Sequence, residues 1–303
     1  MGSGSFDAKA YRTFSDSTVG KSTDQIYTSR GMNQNLNPLG VQYRESRDSD
    51  DNPNSTPIIV ALDVTGSMGM IADVIAREGL GTLFTGILDR KPVSDPHVMF
   101  MGIGDAHCDQ APLQVSQFEA DNRIVEQLAQ LYLEGNGGGN RSESYHLAWF
   151  FAGFHTVHDS IEKRGKRGYL FTVGDEETPP PLTRKQIERV TGDIIEADLS
   201  ADELLQIAQR KYNVFHVIIE EGYHARSHPT EVLNSWRALL GQHVISLSDY
   251  KALAETIVSA IQVAEGSDAD SSSKGWGKAS TTVHNAIKHI PQGKNRPALG
   301  GPK

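Results

Sequence analysis

Hydrophobic positions in this chain fall into blocks that alternate between strand-like and helix-like spacing. "PIIVALD" (57–63) is a continuous apolar run that stops at a carboxylate, as expected of a strand covered on both faces. "MIADVIAREGLGTLFTGIL" (70–88) then sets Ile71, Val74, Ile75, Leu80, Leu83, Phe84 and Leu88 at helical spacing. "HVMFMGIGD" (97–105) predicts a second buried strand. "LQVSQF" (113–118) alternates and follows too closely for a helical crossover, so it is expected as an antiparallel edge. "NRIVEQLAQLYL" (122–133) predicts an amphipathic helix, and a glycine-rich loop, "EGNGGGNRSES" (134–144), separates it from an apolar helix, "YHLAWFFAGFHTV" (145–157). Trp149, Phe150 and Phe151 on that helix read as core. Three further strands are expected at "GYLFTVGD" (168–175), "NVFHVIIE" (213–220) and "HVISLS" (243–248). Helices intervene at "TRKQIERV", "ADELLQIAQRKY", "PTEVLNSWRALLG" and "DYKALAETIVSAIQVA". Ser200 and Glu203 form a capping-box pair before the second of these, and Gly241 closes the third. Strand and helix alternation from 57 to 265 predicts an α/β fold: a doubly wound, mostly parallel sheet with one antiparallel edge strand and helices on both faces.

The flanks lack either period. Residues 1–56, rich in Ser, Asp, Asn, Thr and Gly, read as a polar, largely flexible arm, with "RESRDSDDNPNSTP" (44–57) as a solvated linker. Residues 266–303 read as a flexible tail holding one short helix within "TTVHNAIKHIPQGKNRPALGGPK". Two motif matches in the arm fail. "STVGKST" lacks the first glycine of a phosphate loop, because Ser15 stands there and no apolar strand precedes it. Gly2 lacks the Ser or Thr that myristoylation needs, because that position is Phe6.

Composition narrows the function classes. A net charge of −9 argues against a nucleic-acid binder held by phosphate contacts. The single cysteine, Cys108, rules out an intrachain disulfide and a thiolate zinc site. No apolar run reaches membrane-spanning length and no apolar signal core opens the chain, so the expected setting is cytoplasmic, away from a membrane.

Ligands of an open parallel sheet bind at the carboxyl ends of its strands. Polar residues collect there: Asp63, Thr65 and Ser67 after the first strand; Asp105, His107 and Asp109 after the second; Asn140, Ser142 and Glu143 in the glycine-rich loop; Asp175, Glu176 and Glu177 after "LFTVG". Carboxylates and hydroxyls together suit a hard divalent cation such as magnesium. In "DVTGSM", Asp63, Thr65 and Ser67 alternate, so they are able to converge on one point as the chain leaves the strand, while Gly66 permits the tight backbone. Asp105, His107 and Asp109 read more simply as hairpin residues that make the rim acidic than as a second metal site. "EKRGKRG" (162–168) reads as a solvated turn.

"DVTGSM" after a buried strand resembles the first segment of the metal-ion-dependent adhesion site (MIDAS) of von Willebrand factor A (vWA) domains, whose pattern is Asp-x-Ser-x-Ser with Thr often replacing a Ser. The family's third segment, an Asp at the end of the fourth strand, is matched by Asp175. Its second segment is usually a threonine after glycines. Here "GGGN" puts Asn140 at that place, resembling a Gly-Gly-Gly-Asp/Asn variant of bacterial and kinase-fused relatives, with Ser142 and Glu143 as rival ligands. The resemblance covers 57–265 and implies a Rossmann-like vWA fold that binds rather than turns over a substrate.

Carried over, the metal set is Asp63, Thr65, Ser67, Asn140 and Asp175, with Asp105, Asp109, Ser142, Glu143 and Glu176 around the rim. The implied cofactor is Mg2+, with Mn2+ or Ca2+ as substitutes, and one coordination position stays open for an acidic residue of a protein partner. Bacterial and phage proteins resembling this one often act as adaptors beside ring-forming AAA+ ATPases, so such an ATPase is one expected partner. The alternatives are a phage, virion or assembly component, and a metal-dependent phosphoester hydrolase. Against the hydrolase stand the missing Walker motif, general base and activated nucleophile.

Overall fold

The computed structural model describes residues 4–134 and 142–293, without the side chains at 67, 76 and 78. Its strands are β1 (Arg44–Ser46), β2 (Ser55–Asp63), β3 (Asp95–Ile103), β4 (Leu113–Val115), β5 (Thr156–His158), β6 (Gly168–Gly174), β7 (Tyr212–Ile219) and β8 (Val244–Leu247). Six of them form one sheet in the order β4-β3-β2-β6-β7-β8. Every neighbouring pair in it is parallel except β3 and β4, so the antiparallel edge falls where the short connection required it. The expected doubly wound α/β class is the observed one.

Every residue of β2 is buried, because it is a central strand with a packed layer on each side. Ile58, Val60 and Leu62 enter one apolar cluster, and Ile59 and Ala61 the other. The first layer holds the helices Gly69–Val74, Leu80–Arg90, Arg123–Ala129, Leu253–Ala264 and Ser280–Ile287; a π-helical turn, Ile75–Gly79, joins the first two. The second holds His146–Phe154, Arg184–Thr191, Ala201–Gln209 and Pro229–Leu240. From β2 the chain winds outward to β3 and β4. It then returns to β6 on the other side of β2 and winds outward again. The crevice between the carboxyl ends of β2 and β6 is therefore the topological switch point, where the loops diverge and leave room for a ligand.

The segments expected to be flexible pack against this frame. Within residues 4–56 lie the helices Ala8–Thr18 and Thr23–Ile26, a 3-10 turn Gln34–Leu36, and β1, which pairs in parallel with β5. Phe6 stacks on Phe84 with ring centroids 4.4 Å apart, and Tyr11, Ile26, Tyr27 and Leu36 are buried. The charges of the expected solvated linker are paired with the helix Asp159–Arg164: Asp48 takes the Arg164 guanidinium at 2.7 Å, and Arg47 reaches Asp159 at 2.8 Å. In the tail, Ser280–Ile287 is helical and buries Val283, Ala286 and Ile287, while Trp276 lies 3.6 Å from the Arg90 guanidinium. Apolar residues spaced this sparsely carry no period, so only the frame they dock against reveals them. Among the described residues no helix is long and apolar enough to cross a membrane.

Candidate metal centre at the switch point

Asp63 ends β2 and is 1% exposed. Its Oδ1 accepts the Thr65 backbone N–H at 2.9 Å and the Thr65 hydroxyl at 2.7 Å, an Asx-type turn that starts the sharp exit from the strand. Its Oδ2 accepts the Tyr145 hydroxyl at 2.9 Å. Gly66 takes a positive φ of 31° at the bend, and its N–H donates to the Glu134 carbonyl at 3.1 Å, tying the motif to the start of the glycine-rich loop.

Asp175 follows β6 directly and is 4% exposed. Its Oδ2 accepts the His224 backbone N–H at 2.8 Å. That approach depends on Gly222, where an added Cβ would lie 2.2 Å from Asp175 Cβ. Gly174, the last residue of β6, leaves space of the same kind: a Cβ there would fall 2.0 Å from the Tyr145 hydroxyl oxygen. Tyr145 is fully buried and packs edge-on against Trp236 and His216. Trp236 in turn donates its indole N–H to the Glu176 carbonyl at 2.7 Å, so one aromatic wall supports both strand ends.

The electrostatics of this crevice are one-sided. Glu143 is 2% exposed, and its Oε2, like that of Glu176, is buried without a hydrogen-bond partner. Asp63, Glu143, Asp175 and Glu176 make no ion pair with any basic side chain among the described residues. Burial pushes all four carboxyls above their ordinary values. The Asp175 charge adds to the shift at Asp63, and the Asp63 and Glu176 charges add to that at Glu143. Glu176 is raised to about 8 by burial and by Asp63 and Asp175. Four acids crowded together, with the His224 imidazole acting on Asp175 alone, are costly when ionised, and a bound cation would remove that cost.

No family profile and no curated protein matches the chain. Among solved structures, the chain is similar to the pilus adhesin SpaC from Lactobacillus rhamnosus GG in its open conformation. That likeness has 11% identity and a TM-score of 0.46, over 71% of this chain and 31% of the adhesin. It is also similar to a von Willebrand factor type A protein from Catenulispora acidiphila, at 18% identity and a TM-score of 0.38, over 77% of this chain and 49% of that one. The chain thus spans about a third and about half of the lengths of these two proteins. The candidate centre rests on this chain's own residues.

Asp63, Thr65 and Asp175 are placed around one crevice by the ends of adjacent strands. Asn140 and the Ser67 side chain lie outside the described residues. Ser142 is partly exposed, and of the two described glycine-loop candidates Glu143 is the one buried among the acids.

The rim residues after β3 are bound up in their own loop. Asp109 Oδ2 accepts the Asp105 N–H at 2.7 Å, Asp105 Oδ1 accepts the His107 N–H at 2.8 Å, and the Ser144 hydroxyl accepts the Ala106 N–H at 2.8 Å. Among the described residues no three His, Cys, Asp or Glu side chains gather in an arrangement that could hold a metal ion, at the switch point as well as in this loop, so a cation at the switch point would need the hydroxyl and glycine-loop donors beside its carboxylates. The Asp105 and Asp109 carboxylates are engaged by backbone N–H groups of their own loop. Burial, followed by Asp105 and Asp109, pushes the Cys108 thiol up to about 12, away from nucleophilic use.

Sequence reading missed Tyr145, Gly174, Gly222 and the short helix Tyr223–Ser227. The available signal was the pair of Gly-Asp steps at strand ends, 104–105 and 174–175, where a residue without a side chain precedes the acid.

Proposed function

We propose that this chain is a protein-interaction module whose switch-point crevice holds a divalent cation, magnesium in the first instance, and uses it to grip an acidic residue of a partner. One observation carries the reading: Asp63 and Asp175 are buried side by side at the ends of β2 and β6, with Glu143 and Glu176, and among the described residues no basic side chain makes an ion pair with any of them. The donor set fits a hard cation. Asp63 and Asp175 supply carboxylates, Thr65 and Ser67 hydroxyls, and Glu143 Oε2 is a buried acceptor without a partner. Asn140 is the proposed further ligand from the glycine-rich loop. When bound, the cation would neutralise this cluster and offer a coordination position to an outside carboxylate.

The protein's part is to hold the acids in place. Tyr145 and Thr65 fix the two oxygens of Asp63, and the His224 N–H fixes Asp175. Side chains already held by neutral donors lose little freedom when a ligand arrives. The reading is one of binding without turnover, because the Thr65 and Tyr145 hydroxyls are spent on the Asp63 carboxylate and the nearby thiol is suppressed. A cytoplasmic adaptor working with a ring-forming AAA+ ATPase is the biological setting proposed for such a module.

The test is thermal unfolding in magnesium and in EDTA, with Mn2+ binding followed by electron paramagnetic resonance. At an Mg2+ concentration about 100 times its Kd, the wild type gains about 2.7 kcal/mol. Asp63→Asn and Asp175→Asn lose that gain and the bound Mn2+ signal. A wild type that melts alike in magnesium and EDTA, and shows no bound Mn2+, overturns the cation. Hexaglutamate peptide that binds equally well in magnesium and in EDTA overturns the bridging role.

A further inference from the structure

Beside the acidic crevice lies a cavity of about 320 Å³ lined by Ala106, His107, Thr183, Lys185, Gln186 and Arg189. No carboxylate lines it, although the chain as a whole carries a net charge of −9. The helix Arg184–Thr191 builds one wall. Its Ile187 and Val190 are buried against the sheet, and Lys185 and Arg189, four residues apart, share a face that borders the cavity. The helix is held by a capping box in which Gln186 Oε1 accepts the Thr183 N–H at 2.9 Å. The opposite wall is the loop after β3, whose hydrogen bonds among Asp105, Asp109 and Ser144 set its shape. Arg189 joins the walls by donating to the Ala106 carbonyl. Neither Lys185 nor Arg189 makes an ion pair among the described residues. Two cations left without counter-charges at one concavity are complementary to an anionic ligand.

We infer that this cavity is a second docking point for an acidic peptide segment of the partner, read by Lys185, Arg189 and His107. Its carboxylates would take the Lys185 ammonium and the remaining guanidinium donors of Arg189, and the His107 imidazole and Gln186 amide line the same space. The loop 104–109 separates the cavity from the candidate cation centre, since Asp105 acts electrostatically on Glu143 and Glu176 while His107 lines the cavity. A partner presenting several acids in a row would then engage both places at once, gaining affinity by multivalency and a register along the edge. This rests on the interaction reading for the source of the peptide, but the charge of the cavity is independent of the cation.

The experiment is titration of the full chain with fluorescein-labelled hexaglutamate, by anisotropy, in magnesium and in EDTA. Lys185→Glu is the main variant, because its side chain is exposed and unpaired. Arg189→Gln is the second, and circular dichroism checks that each is folded. Lys185→Glu should weaken the peptide on the order of tenfold and Arg189→Gln about threefold, both in magnesium and in EDTA. Asp63→Asn should remove the magnesium-dependent gain while leaving the Lys185→Glu effect in place. Wild-type affinity in both cavity variants overturns the cavity, even where Asp63→Asn still abolishes the magnesium gain. A Lys185→Glu loss with no magnesium gain in the wild type supports the cavity and overturns the cation bridge. Displacement of the peptide by inorganic phosphate at equal concentration overturns the peptide assignment in favour of a phosphate ligand.

Discussion

At the scale of single residues, the centre depends on two glycines as much as on its acids. Gly174 leaves the space in which the Tyr145 hydroxyl reaches Asp63 Oδ2. Gly174→Ala would drive a methyl to 2.0 Å from the Tyr145 hydroxyl oxygen, so Tyr145 must move within a wall already packed by Trp236 and His216. The expected cost is about 2–3 kcal/mol in urea unfolding, as for overpacked cores. Tyr145→Phe keeps the packing and removes one hydrogen bond to a buried carboxylate, which should cost about 1.5–3 kcal/mol. Urea unfolding in EDTA that leaves both variants as stable as the wild type would show that Tyr145 does not hold Asp63. The Gly-Asp step at 174–175 marks a strand end in the sequence, but not the contact itself, because the neighbour that fills the glycine's space comes from a distant part of the chain.

At the scale of elements, the arm is part of the fold. The helix Ala8–Thr18 lays Tyr11 over Gly81, where a Cβ would lie 2.3 Å from the ring. Just below, Arg77 in the π-helical turn donates to the Thr18 and Lys21 carbonyls at 2.7 Å each, and Thr23 reaches Asp73 at 3.1 Å. The arm therefore grips the helix that begins at the "DVTGSM" motif. Tyr11→Ala should destabilise the whole domain by about 3 kcal/mol, as for other buried aromatic truncations. An independent, flexible arm would instead leave the urea midpoint unchanged. Polar composition concealed this docking. Phe6, Tyr11, Ile26, Tyr27 and Leu36 are separated by runs of Ser, Thr, Asp and Asn, and each finds its apolar contact on another element.

At the scale of the molecule, opposing groups shape the dependence of stability on pH. Glu176 is held at about 8 by burial, with Asp63 and Asp175 adding to it, so its folded value exceeds its unfolded value. Its contribution is present at low pH and is lost as pH rises through about 8. His146 and His158 are pushed down by burial to about 4 and about 3. Being neutral in the fold, they stabilise above the ordinary histidine value of about 6.5 and lose that contribution as pH falls below it. The melting temperature in EDTA should therefore peak between about pH 6 and 7 and fall on both sides. Glu176→Gln should lessen the loss of stability between about pH 4.5 and 8, while Asp63 and Glu143, also raised by burial, keep part of the alkaline limb. An alkaline limb of wild-type steepness in that variant would remove Glu176 from the account.

Local periodicity determined the alternation of strands and helices, the antiparallel edge, and the placement of polar residues after buried strands. Each of these follows from short stretches of chain read against spacing and connection length. The alternation also placed Asp63 and Asp175 at one edge, since residues that end parallel strands must emerge together. Tertiary structure decided the rest. It set β2 beside β6 at the switch point and swung Tyr145 from a distant helix onto Asp63. It docked the arm and the tail, and it left Lys185 and Arg189 facing a cavity without acids. These features depend on which groups meet across long separations in sequence, and on the space each leaves for the other, which no local pattern of residues encodes.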